Sequence, residues 1–162
     1  MFTKGSLASS YTDNVVSQII THKEICLLKE IDSVSDVFVK REIVSLALNI
    51  YHEARGSVVE DMIAVAVITM NRVGHKQFRD TVEGVVFQPF QFSWTLLRKD
   101  KLPREKVWEK CQQIAYKVYA GKIKDSRLTD VYHYSRHDII GKVKWHTSMT
   151  NRVRIGMHVY MS

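Results

Sequence analysis

With 162 residues, 45% of them apolar and 25% charged, the chain has the size and balance of one folded domain that needs no disulfide staple. Two prolines and seven glycines argue against a disordered or loop-dominated chain, and no apolar run is long enough to span a bilayer. The net charge of +7 is scattered along Lys99–Lys124 and Lys142–Arg154 rather than gathered in a tail, which marks a folded surface attractive to nucleic acid, anionic membrane or the bacterial envelope.

In chain order, Met1–Ser10 lacks the apolar segment of an export signal, so synthesis in the cytoplasm and some other way out are expected. Residues 1–40 read as a helical lead-in packed on the same domain as residues 41–162, with a short helix around Asn14–Leu28. Ser33-Val-Ser-Asp36 has the form of a capping box opening a helix to Ala54. Ile43, Ala47, Ile50 and Ala54 share one face of it, and Gly56 ends it. Ser57-Val-Val-Glu60 repeats the capping form before the most apolar segment, Met62–Met70, predicted to be the buried central helix and closed by Gly74. Asp80-Thr-Val-Glu83 predicts a short helix that stops before Pro89. Pro103 suits the first turn of a helix to Ala120, with Val107, Cys111, Ile114 and Val118 inward and Gly121 as stop. Asp130–Ser135, Lys142–His146 and Arg152–Met161 then alternate like strands, with Ile155-Gly-Met-His158 as a turn. The fold class is α+β, mainly helical with a small C-terminal β region. Cys26 and Cys111 stand outside any CxxC or Cys/His spacing and are expected as two reduced thiols.

Cleavage of a glycosidic bond takes a proton donor at the scissile oxygen and a stabilised oxocarbenium-like transition state. Glu53 suits the first part. It falls in the last turn of an apolar helix, where a hydrophobic surround and the negative end of the helix dipole both raise a carboxyl's pKa. Arg55 would oppose this if the two paired, which spacing does not decide. A glutamate near a helix end is by itself more often solvated decoration, so the weight rests on the segments around it.

Those segments are Leu48-Asn-Ile-Tyr-His-Glu-Ala-Arg-Gly56, Ala64–Val73 and Val85-Val-Phe-Gln-Pro-Phe-Gln-Phe-Ser93, followed by His133-Tyr134, Trp145 and Arg154-Ile-Gly-Met-His158. Over about residues 41–162 the chain closely resembles the SleB-like cell wall hydrolases, the catalytic domains of spore-cortex-lytic enzymes and related phage endolysins. The resemblance implies a lysozyme-like α+β domain cutting the bond between N-acetylmuramic acid and N-acetylglucosamine, with Glu53 at the position of the family's catalytic glutamate. It implies lytic transglycosylase chemistry, in which the muramic acid 6-hydroxyl attacks its own anomeric carbon and no protein nucleophile is needed. A hydrolytic muramidase is the alternative. The family usually continues Glu-Ala-Arg-Gly-Glu, and here Ser57 stands last. The plain account is that Ser57 caps the next helix with Glu60 completing the box; otherwise Glu60 or Asp61 would have to assist.

Gln88–Trp94 should be a loop, since Pro89 cannot continue the preceding helix. Its amides, hydroxyl and rings suit a sugar subsite, with Gln91 and Ser93 toward substrate and Phe92 inward; the plainer alternative makes Phe90 and Phe92 core plugs. The strand period puts Tyr132 and Tyr134 on one face and His133 on the other, and these with Trp145 are the candidates for the opposite wall. His133, His137, His146 and His158 show no metal-ligand spacing, so no metal or cofactor is expected. Asn71-Arg72 is expected to tie the buried helix to a neighbouring loop rather than touch sugar. The expected partner is bacterial peptidoglycan, met by a monomeric phage-type endolysin after holin-type release, with no stable membrane insertion. The rival from another class is a basic nucleic-acid-binding protein, for which no zinc-finger, RRM or basic-zipper signature exists, so no nucleic acid is expected.

Overall fold

The computed structural model describes residues 15–22, 25–96, 102–103 and 106–162. The opening residues 1–14, including Asn14, lie outside the described residues, as do Lys23, Glu24, 97–101 and the 104–105 turn expected after Pro103.

Helices come first: α1 (15–21), α2 (Lys29–Asp32), α3 (Val37–Ala54), α4 (Val59–Arg72), α5 (Val82–Val86), α6 (Ser93–Leu96) and α7 (Lys106–Tyr119). Asp36, not Ser33, caps α3: its Oδ1 accepts from the Phe38 and Val39 amides at 2.8 and 3.2 Å. Ser33 is instead the C-terminal cap of α2, its hydroxyl turned to the Glu30 carbonyl. The central place expected for α4 is held by α3, which is buried without interruption from Glu42 to Tyr51 because α4, α5 and α7 all pack on it. α4 is nearly as buried and lies beside it.

Polar side chains fix how the shorter pieces dock. The buried Glu42 carboxylate accepts from the Val82 and Glu83 amides at 2.7 and 2.9 Å, and Thr81 Oγ1 accepts from Gly84 N, so the orphan donors of α5 are satisfied partly from α3. Arg41 forks onto Glu83 at 2.9 and 2.5 Å. Gln112 of α7 bonds the Cys26 carbonyl and the Leu28 amide, and Val16, Ile19, Ile25 and Ile31 join the main hydrophobic cluster. On α7 the buried face is Trp108, Cys111, Ile114, Ala115 and Val118. Val107 is only half-buried, because the Trp108 ring takes the inward position against Tyr51, at 6.0 Å between centroids. Cys26 and Cys111 are both free, and burial pushes the Cys111 thiol up to about 12.

The C-terminal part is a three-stranded antiparallel sheet in the order β1-β3-β2, from β1 (His133–Arg136), β2 (Val153–Ile155) and β3 (His158–Met161), with Tyr134 opposite Tyr160. The alternating stretch Lys142–His146 is not a strand. Lys144–Ser148 closes as a 3-10 turn, with the buried His146 ring accepting from Gly141 N and its carbonyl taken by Arg152. Between β2 and β3 the chain turns at Gly156 (φ +55°), where a Cβ would come within 2.5 Å of Ser57 Oγ and 2.8 Å of Asp61 Cβ. Only glycine allows that approach.

Candidate active site

Glu53 stands in the last turn of α3 and faces a cleft of about 550 Å³ between the helical body and the sheet. Tyr134 of β1 crosses that cleft and donates its hydroxyl to Glu53 Oε2 at 3.0 Å. Burial raises the Glu53 pKa above the ordinary glutamate value, while the Tyr134 hydrogen bond, His158 and Arg72 pull the other way. Burial, and the carboxyl of Glu53 beside it, push the Tyr134 phenol well above its usual value, so it stays a neutral donor. Among the described residues lining the cleft, Glu53 is the only carboxylate.

The cation that reaches Glu53 is not Arg55. Arg55 is exposed and lies over the Tyr51 ring at 4.6 Å. Arg72 comes instead from the end of α4, buried and stacked among the rings of Phe78, Phe92 and Tyr134 at 5.0–5.7 Å. Its Nε donates to the Tyr132 carbonyl at 2.7 Å, and Asn71 Nδ2 bonds the Leu128 and Val131 carbonyls, so the pair does tie α4 to the loop before β1. Arg72 also lines the cleft, where its Nη1 has no protein partner.

Behind the cleft sits a second carboxylate, fully spoken for. Asp61 accepts from Ser57 Oγ at 2.5 Å, Met157 N at 3.1 Å and Tyr160 OH at 2.6 Å, and His158 Nδ1 lies 3.0 Å away. Burial works against its charge, but the His158, Ser57 and Tyr160 hydrogen bonds outweigh it and hold Asp61 below the usual aspartate value. The capping box expected at Ser57–Glu60 does not form: Val58 is the N-cap, without a side-chain bond, because Ser57 is drawn to Asp61. Glu60 is exposed and away from the cleft.

The loop after α5 is pinned by Trp94, whose Nε1 donates to Asn49 at 3.1 Å and whose ring stacks on His52 at 4.3 Å. It delivers Gln91 and Ser93 to the cleft, with Phe92 buried at its floor. Ser93 already belongs to α6, so the loop is shorter than expected.

Residues 56–161, roughly two-thirds of the chain, match the family model described as Cell Wall Hydrolase. The chain belongs to the cell wall hydrolase family. Glu53 lies just ahead of the matched segment. Spore cortex-lytic enzymes of Oceanobacillus iheyensis and Bacillus subtilis are 41% and 38% identical over 54 and 56 residues. Those stretches are 33% and 35% of this chain but only 20% and 18% of the relatives, so about a fifth of their length is matched. The catalytic domain of the Bacillus cereus SleB protein superposes with a TM-score of 0.59 at 26% identity, covering 75% of this chain and 89% of that one. The catalytic domain of the germination-specific lytic transglycosylase SleB from Bacillus anthracis gives 0.59 at 25%, covering 75% and 93%. The α+β fold is therefore that of the SleB catalytic domain.

Within this cell wall hydrolase domain, four of the six expected site residues share one cleft: Glu53, Gln91, Ser93 and Tyr134. Tyr132 does not. It precedes β1, after the left-handed Asp130 (φ +57°), so the strand period that paired it with Tyr134 has not begun; its ring stacks on His75 at 4.3 Å. Trp145 does not either, because the 3-10 turn carries it to the surface beside His133 and His146. Arg72, His158 and Phe90 line the cleft and were not singled out for it. A charged residue ending an otherwise apolar helix was the available signal for Arg72. Among the described residues no group of His, Cys, Asp and Glu is arranged to hold a metal ion, and no helix is long and apolar enough to cross a membrane.

Proposed function

We propose that this domain cleaves the glycan strand of bacterial peptidoglycan between N-acetylmuramic acid and N-acetylglucosamine, as a lytic transglycosylase with Glu53 as general acid and base. The observation that carries this reading is the one carboxylate among the described residues lining the cleft, its pKa raised by burial and its Oε2 held by one donor. With Oε2 accepting from Tyr134, Oε1 is left to carry the acid proton. Glu53 gives that proton to the glycosidic oxygen as the bond to the anomeric carbon breaks. The muramic acid 6-hydroxyl then attacks that carbon, and its proton returns to Glu53. The product is a 1,6-anhydro end, and neither water nor an enzyme nucleophile is consumed.

Retaining and inverting hydrolysis both need a second carboxyl, about 5–5.5 Å or 6.5–9.5 Å from the first. Asp61 is the nearby candidate, and its acceptor positions are occupied by four donors. Arg72 Nη1, buried and unpartnered, suits an oxygen substituent of the bound sugar, which would repay its desolvation. Mass analysis of digested peptidoglycan tests the chemistry: anhydro ends are one water lighter than the reducing ends a muramidase leaves. Reducing ends alone would replace transglycosylation by hydrolysis. The phage-type lysin role and holin-type release belong to the same proposal, and cytoplasmic expression should lyse cells only when a holin is co-expressed.

A further inference from the structure

Gln88-Pro89-Phe90-Gln91 makes a tight turn, with Gln91 N donating to the Gln88 carbonyl at 3.2 Å. Proline at the second position and positive φ at the third are the marks of a type II turn, whose third position selects glycine or asparagine. Here it holds Phe90 at φ +66°. Asp130 and Asn151, the other non-glycine residues with positive φ among those described, are of the kind that tolerates it; an aromatic side chain is not. Nothing in the core compensates, because Phe90 is 84% exposed while Phe92, two residues on, is buried. The ring nevertheless lines the Glu53 cleft, beside the exposed Leu96. A strained backbone that holds an apolar ring in water gains nothing for the fold, so its use lies with a ligand.

The geometry points to Phe90 as a stacking platform for a pyranose ring of the glycan strand, a specificity-determining contact away from the reacting bond. This rests on the glycan-cleaving reading above. A sugar ring has an apolar C–H face that suits an aromatic plane, and the turn sets the ring at the cleft rim, where a neighbouring residue of a polymer would pass. The loop is rigid behind it, through Pro89 and the Trp94–Asn49 hydrogen bond, so the platform is preorganised.

The test is steady-state kinetics on soluble, uncrosslinked peptidoglycan strands with wild type, Phe90→Asn and Phe90→Trp, beside thermal melts. Phe90→Asn should raise KM by about tenfold, the worth of burying part of an aromatic side chain, and leave kcat within about twofold. Its Tm should equal or exceed that of wild type, since asparagine accepts the turn conformation. Phe90→Trp should keep KM near wild type. An unchanged KM in Phe90→Asn would overturn the platform while leaving the glycan reading intact. A fall in Tm with KM unmoved would make Phe90 a folding residue, and a fall in kcat alone would place it at the reacting bond; either overturns the inference. No turnover by wild type would overturn both readings.

Discussion

Glu53→Gln separates the chemistry from the scaffold. The amide keeps the side-chain volume, and its oxygen still accepts the Tyr134 hydroxyl, but it has no proton to give the leaving oxygen. General acid/base catalysis is typically worth ~10²–10⁴-fold, about 2.7–5.5 kcal/mol of barrier, and the same group serves both halves of the proposed reaction. Turbidity loss of purified peptidoglycan should therefore fall at least a hundredfold. Stability should move the other way. Burial raises the Glu53 pKa in the folded state, so folding favours the protonated carboxyl. The stability this gives is full below the unfolded value and is lost as pH rises through the folded one. Melts at pH 8 should show Glu53→Gln above wild type, and the gain should vanish at about pH 3, where the wild-type carboxyl is protonated in both states. Residual activity above about a tenth of wild type would remove Glu53 from the acid role, and a mutant that melts lower at pH 8 would refute the desolvation argument.

The remaining expectations follow from the same contacts. Phe92→Ala should cost about 3–5 kcal/mol in denaturant melts, since Phe92 is buried under the Arg72 guanidinium, whereas Gln91→Ala and Ser93→Ala should lower activity at nearly unchanged stability. Asp61→Asn should destabilise by about 1–3 kcal/mol, because the new amide NH2 would face groups that donate to the carboxylate, namely Ser57, Met157 and Tyr160. In wild type the lowered Asp61 pKa means that its contribution is present above the unfolded value and lost as pH falls through the folded one, so acid titrations of Asp61→Asn should lack that part of the wild-type loss. With a net charge of +7, lysis of whole sacculi should fall steeply between 0.1 and 1 M salt, where the Debye length shrinks from ~10 to ~3 Å, while turnover of a short neutral glycan should not.

The long helices were legible because their apolar periods are long and unbroken: α3 ends by Gly56 and α7 by Gly121, as the sequence suggests. Their starts were less legible. Ser33 and Ser57 both fit a local capping rule, yet each hydroxyl finds another partner, Ser57 because a buried carboxylate competes for it. Lys142–His146 alternates like a strand, but the left-handed Gly141 (φ +82°) and the 3-10 turn at Lys144–Ser148 take its backbone out of extended form. At the site, Glu53, Gln91 and Ser93 lie within one local segment each and needed only that segment's reading. Tyr134 was reached through the family resemblance and the strand period, whereas Arg72 and His158 come to the same cleft from α4 and β3, which no periodicity can bring together. Phe90 was legible only as a choice between core and surface, since exposure depends on the turn that holds it.

Two carboxylates eight residues apart in sequence end in opposite states, and the difference organises the domain. Glu53 is half-buried in the cleft wall with one side-chain donor, so desolvation disfavours its charge and raises its pKa. Asp61 is more deeply buried, yet four donors surround it, and since a carboxylate can only accept, His158 must present its Nδ1 proton. Asp61 therefore stays charged, and its bonds to Met157, His158 and Tyr160 fasten the β2–β3 turn and β3 to the start of α4. β3 in turn carries β1 by the pairing of Tyr160 with Tyr134. Tyr134 packs against His158 and Tyr160 on the same face of the sheet, so the hydroxyl that orients Glu53 is positioned through the two side chains that Asp61 holds. Ser57 belongs to that fastening, close against Gly156, which explains how the chain accommodates serine at a position where the family usually has glutamate. The proposed transglycosylation needs one proton-carrying carboxyl and a fixed wall opposite it, and this division of labour between Glu53 and Asp61 is what supports that proposal.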